Sequence, residues 1–322
     1  MSVVSEARAA LGSRKTKRRD LGATARRETK LGLLFVAPWI IGFLVFYLIP
    51  MVASLVFSFT EFDLSNPDTL TFVGLDNYIR LFNDPQVRKA LGVTLKFMAI
   101  ALPIGVVWPL LMALMLNMKR LWLKQLLRTL YYLPFIVPVV SVAYIWRGFL
   151  NNETGWLNRV LEEVFGLAQA PDWLASTTWI YPALVLVGLW GVGDAMIRLL
   201  AGLQNAPPAL YEAARVDGAG PWRTFWNITL PMISPMLFYN LLLLTIGLFQ
   251  YFLLAWILGG PNSNPSEATL FYNVYLYKQA FVYSKMGYGA ALAWVLFFMA
   301  LVVTVVLFGT QKYWVYYAVE EG

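Results

Sequence analysis

The sequence predicts an all-α integral membrane protein with six transmembrane helices, and three observations support that class. Of the 322 residues, 59% are hydrophobic and only 13% are charged, the latter about half the share usual in a soluble domain. Six apolar stretches are each long enough to cross a hydrocarbon core, which takes about 20 helical residues. The Lys and Arg residues of the connections concentrate on one side, the bias that sets membrane orientation. Helix suits such stretches because a backbone in lipid must satisfy its own hydrogen bonds.

In chain order, residues 1–30 form a polar tail with nine basic residues, Arg8, Arg14, Lys15, Lys17, Arg18, Arg19, Arg26, Arg27 and Lys30. A basic cluster beside a span reads as a cytoplasmic anchor on anionic membrane lipid. No folded basic face follows it, so the net charge of +7 does not point to nucleic acid. Residues 31–322 read as one transmembrane domain, with spans at about 33–58, 94–116, 130–150, 179–202, 233–258 and 288–310. The first is too long for a signal-peptide core and is read as retained.

Between the first two spans, Phe72-Val73-Gly74-Leu75-Asp76-Asn77-Tyr78 suits a short capped helix on the membrane surface. Between the third and fourth, Trp156 and Trp173 mixed with acids suit an interfacial helix. Leu258-Gly259-Gly260-Pro261 permits a tight exit from the fifth span, and Gly289-Ala290-Ala291 lets the last helix pack closely.

With the amino terminus inside, the inner segments hold the tail, Lys119, Arg120, Lys124, Arg128, Arg215, Arg223 and Lys312. The outer segments hold Arg80, Arg88, Lys89, Arg159, Lys278 and Lys285 together with most of the acids. Both termini are therefore expected in the cytoplasm of a cell with this as its inner membrane.

There is no cysteine and no histidine, which removes thiolate metal sites and the commonest general base. No Gly-x-x-x-x-Gly-Lys-Ser/Thr string occurs, so nucleotide binding by a P-loop is not expected. Gly188, Gly191 and Gly193 lie within an apolar span, where helix packing explains them. Converging carboxylates for hydrolysis are missing as well. The sequence thus gives no catalytic, cofactor-binding or metal-binding residues.

The polar interlude of about 204–232 is organised residue by residue. A helix from about Ala209 to Val216 starts behind Pro207 and Pro208 and places Glu212 in its first turns, where the helix dipole favours a carboxylate. Ala213 and Ala214 leave one flank bare for close approach to another surface. Gly218 and Gly220 stop the helix, and a second short helix runs from Pro221 to Leu230 until Pro231 ends it. A connector lying among lipid headgroups is the plainer reading of such a loop.

The string Glu212-Ala213-Ala214, followed by Gly218, Ile228, Leu230 and Pro231, resembles the EAA motif of permease subunits in binding-protein-dependent ABC importers. The resemblance implies that the short helix is the coupling helix seated on an ATP-hydrolysing subunit, with Tyr211, Glu212, Ala213, Ala214, Asp217 and Gly218 in that contact. Tyr47-Leu48-Ile49-Pro50, the Phe72 to Tyr78 segment, Gly259-Gly260-Pro261 and Met286-Gly287-Tyr288-Gly289 resemble the carbohydrate-uptake branch, of maltose or glycerol-3-phosphate permease type.

Polar groups inside spans are costly in lipid and point to a pathway. Asp194 is the only carboxylate deep in a span, and Arg198 stands four residues on, on the same helical face. One reading is a self-neutralising pair. The other places Asp194 with Trp190 and Gly191 on a cavity wall, where the resemblance implies sugar contact. In the fifth span Thr245, Phe249, Gln250 and Tyr251 could stack on sugar rings and bond their hydroxyls, or serve packing alone.

What the resemblance implies for the whole is a transport subunit for a sugar or sugar-like polyol. It would pair with a second homologous permease, two ATPase subunits that bind ATP and Mg, and an extracytoplasmic binding protein. An ion-coupled secondary transporter or channel, or a membrane scaffold, is the competing class. Co-purification with an ATPase separates them.

Overall fold

The computed structural model describes residues 25–118 and 121–317. The basic tail as far as residue 24, and Lys119 and Arg120, lie outside the described residues.

Helix α1, Ala25–Ser58, begins within the stretch read as tail, so Arg26, Arg27 and Lys30 stand in its first turns. Its turn Leu44–Leu48 is wide, because the Ile49 N–H reaches the Leu44 carbonyl five residues back. Pro50 follows directly. A proline ring has no N–H to offer and presses on the carbonyl four residues behind it, and the wide turn relieves that pressure.

A β-hairpin comes next, which departs from the all-helical expectation. Strand β1, Thr60–Asp63, pairs antiparallel with β2, Asn66–Phe72, with Thr60 opposite Phe72 and Asp63 opposite Asn66. The Asp63 carboxylate accepts the Ser65 N–H at 2.7 Å and closes the turn. The hairpin is fastened to the far end of the sequence: the Leu64 N–H donates to the Ser284 carbonyl at 2.9 Å, and Asp63 bridges to Lys285. A Cβ on Gly287 would stand 2.0 Å from the Thr60 carbonyl oxygen, so only glycine permits this contact.

Helix α2, Asp76–Asn83, is the short helix expected there, and its Asn77 amide donates to the Ser58 and Thr60 carbonyls at 3.0 and 2.9 Å. Helix α3, Pro85–Asn117, starts well before residue 94. Asp84 caps it by accepting the Gln86 N–H at 2.9 Å, and Pro85 takes the first helical position.

The third and fourth stretches are not single straight helices. Helices α4, Lys124–Ile136, and α5, Val139–Phe149, meet at 101°, because Pro138 holds Val137 extended. Helix α6, Trp156–Glu163, forms in the connection where an interfacial helix was expected. Helices α7, Ile180–Trp190, and α8, Gly193–Asn205, meet at 55° across Gly191 and Val192.

Helix α9, Pro208–Val216, forms within the interlude. The second short helix does not end at Pro231. It runs on as α10, Pro221–Phe249, through a second wide turn, Phe225–Thr229, in which the Leu230 N–H reaches the Phe225 carbonyl just ahead of the proline. The fifth stretch then breaks at Gln250–Phe252, and α11, Leu253–Gly259, follows. Helices α12, Tyr272–Tyr277, and α13, Met286–Trp314, complete the chain.

Among the described residues, four helices, α1, α3, α10 and α13, are long and apolar enough to cross a membrane, and up to six spans result if each bent pair counts as one. The molecule is thus a multi-pass helical membrane protein. In residues 58–317 the packing forms two cores. One gathers Phe97, Leu184, Val187, Leu248, Phe271, Tyr272 and Leu292. The other gathers Ala113, Leu116, Met196, Leu199, Ile233 and Leu237.

Candidate functional site

The elbow between α8 and α10 is built by its carboxy-terminal turn. The Ala219 N–H donates to the Ala214 carbonyl at 2.8 Å and the Gly218 N–H to the Arg215 carbonyl at 3.1 Å, the paired bonds of a Schellman motif. Gly218 supplies the left-handed residue that this turn requires, at φ +70°. Tyr211 anchors the other side, its hydroxyl donating to Thr229 Oγ1 at 3.3 Å.

Ala214 is buried beneath the helix, whereas Glu212, Ala213, Arg215, Val216 and Asp217 are exposed, Val216 by 88%. Glu212 lies in the second turn of α9, since no acid occupies the first. Its stabilisation by the helix amino terminus is correspondingly weaker than the sequence suggested. Trp222, Phe225 and Trp226 pack on one another beside the elbow, at centroid distances of 5.5 to 6.4 Å.

Among α3, α7, α8 and α10 lies a cavity of about 380 Å³. Gly191, Asp194 and Tyr251 line it, so three of the seven pathway candidates come together. Asp194 forms an ion pair with Arg198, whose Nε donates to Asn240 Oδ1 at 2.7 Å. Asn240 in turn donates to the Ala195 carbonyl at 3.3 Å. The Tyr251 hydroxyl is buried away from the cavity and has no hydrogen-bond partner among the described residues. The walls are apolar, with Phe97, Leu184, Leu244 and Leu248 among them. A Cβ on Gly193 would approach the Tyr131 carbonyl oxygen to 2.6 Å, so α8 is held hard against α4 at this level.

The other four candidates lie elsewhere. Trp190 packs edge-on against Trp146 at 6.1 Å. Thr245 is buried and donates back to the Leu241 carbonyl of its own helix at 2.7 Å. Phe249 faces an apolar groove between α3 and α13. Gln250 lines a separate recess with Asn273, which donates to the Gln250 carbonyl at 3.1 Å. Asn240 was missed because one amide in a long apolar run carries no periodic signal; its reach to Arg198 spans 42 residues.

Where the hairpin meets α13, a polar recess of about 630 Å³ is lined by Glu61, Asp63, Asp76, Arg80 and Lys285. Beside it, Asp84 accepts hydrogen bonds from the Tyr275 and Tyr288 hydroxyls at 2.5 and 2.8 Å. Burial alone would raise the Asp84 pKa. The two tyrosines, the Gln86 N–H and the Arg80 charge outweigh it and hold the carboxyl below its ordinary range.

Residues 105–315 match the family described as binding-protein-dependent transport system inner membrane component. A probable ABC transporter permease protein of Bacillus subtilis, YesP, is 38% identical over 92% of this chain and 95% of its own length. The arabinooligosaccharides transport system permease protein AraP of the same organism is 34% identical over 85% of this chain and 86% of its own. In fold, the chain is similar to a bacterial ABC transporter involved in the import of the acidic polysaccharide alginate. That likeness has a TM-score of 0.77 and 26% identity, and covers 91% of this chain and 98% of the other.

Proposed function

The chain belongs to the family of binding-protein-dependent transport system inner membrane components, and from that premise we propose an assignment of its parts. It is a permease subunit of an ABC importer that translocates a carbohydrate-type solute delivered by a binding protein. ATP is hydrolysed by separate ATPase components, and the chain itself is not catalytic.

The finer reading is a maltose or glycerol-3-phosphate permease-type subunit. It has six spans, with both termini, the basic tail of residues 1–30 and the interlude of about 204–232 on the cytoplasmic side. A second homologous permease completes the path, two ATPase subunits dock inside, and the recess beside the hairpin faces the binding protein. The cavity at Asp194 and Tyr251 lies on the solute path.

The elbow carries this reading. A short helix with a fixed end, a buried Ala214 and an exposed Glu212 and Val216 is suited to press into a groove on another subunit. Closing of the ATPase pair moves α9, and α8, joined to it through only Ala206 and Pro207, passes the movement to the cavity wall.

The experiment is reconstitution with the partner permease, the ATPase pair and the binding protein. Glu212→Arg should insert normally yet lose ATP-driven uptake, and the chain alone should transport nothing. Uptake by the isolated chain would support the ion-coupled alternative, and normal uptake by Glu212→Arg would remove the coupling role.

A further inference from the structure

Arg198 stands in an otherwise apolar cavity inside the spans, a costly place for a cation and therefore an informative one. Its Nε is held by Asn240 at 2.7 Å and one Nη1 hydrogen by Asp194, while Asn240 closes the ring onto the Ala195 carbonyl at 3.3 Å. Asn240 is only 6% exposed, so it has no water to turn to. An arginine left free near a helix end extends its charge toward the interface. Asn240 instead fixes the plane of the guanidinium beside the carboxylate.

Once that ring is closed, several groups are left without a partner among the described residues. Asp194 keeps Oδ1 as an acceptor, and Arg198 keeps Nη2 and the second Nη1 hydrogen as donors. Acceptor and donors thus line one cavity at zero net charge. Neighbouring hydroxyls of an uncharged sugar each give and take a hydrogen bond, and so match such a set. An anionic sugar does not: the arginine is already neutralised, and a second carboxylate would oppose Asp194 between apolar walls, where like charges repel strongly.

Resting on the carbohydrate reading of this cavity, we propose that Asn240 positions Arg198 and Asp194 as a charge-balanced selector that admits neutral sugars and turns away acidic ones. The chain would then differ in solute charge from the alginate importer whose fold it shares.

The test is equilibrium binding of arabinotriose and of digalacturonate to the assembled permease and ATPase complex without its binding protein, which would otherwise select first. The wild type should bind arabinotriose about tenfold more tightly or better. Asp194→Asn should reverse the preference, because Arg198 is then an unpaired cation. Asn240→Leu should weaken arabinotriose by about tenfold, the effect of losing a buried partner.

Variants are compared only as assembled complexes, so misfolding does not enter. A purely structural pair would lower both affinities alike, and such parallel loss in Asp194→Asn, or a wild-type preference for digalacturonate, overturns the selector. If neither saccharide binds the wild type or any variant, the carbohydrate reading of the cavity falls and the selector with it.

Discussion

At Gly218 the elbow depends on one backbone angle. Among the described residues nothing beyond its own chain neighbours lies within 4 Å of where a Cβ would stand, so a substitution there meets open space and pays only in conformation. A branched side chain forced to φ +70° costs about 1–2 kcal/mol. Gly218→Val should loosen the turn and lower binding-protein-stimulated ATP hydrolysis of the assembled importer, whereas Gly218→Asn, which tolerates that region, should stay near wild type.

The elbow was legible because its signals are local: prolines before the helix, glycines after it. Asp84 was not. Its tyrosine partners lie 191 and 204 residues away, and no local pattern announces them. Because the folded-state pKa of Asp84 is depressed, its contribution is present above the unfolded carboxylate range and is lost as pH falls through the folded value. Asp84→Asn should therefore lower the thermal midpoint at pH 7, and the gap to wild type should close on acidification. A gap independent of pH would show that the charge of Asp84 is unimportant.

Among the elements, the prolines divide into those the helices absorb and those that bend them. Ahead of Pro50 and Pro231 a wide turn takes up the strain and the helix continues. At Pro138 nothing does, and the chain turns by 101°. Hydropathy located the apolar stretches but not these outcomes, since composition is alike in both. The break at Gln250–Phe252 had even less warning, containing neither glycine nor proline. The hairpin was hidden because four residues of β1 are too few for alternation to declare itself. Pro231→Ala restores an N–H and lets the turn at Phe225–Thr229 close to ordinary α-helix. Losing the extra residue rotates the elbow by about 100° relative to α10. Uptake should fall several-fold while the thermal midpoint holds, a pattern that a simple packing defect would not give.

For the molecule as a whole, class and composition were readable from the start, because lipid imposes one rule on every span. The helix-to-helix arrangement was not, since it depends on close approaches such as that of Gly193 to Tyr131. The clasp between the hairpin and the start of α13 bears on how the protein is made. A ribosome finishes residues 60–72 long before it reaches Ser284, Lys285 and Gly287, so the hairpin waits, unmated, through most of translation. A chain truncated after α12 should therefore insert its earlier spans yet leave the hairpin open to protease, and completing the last span should close that window.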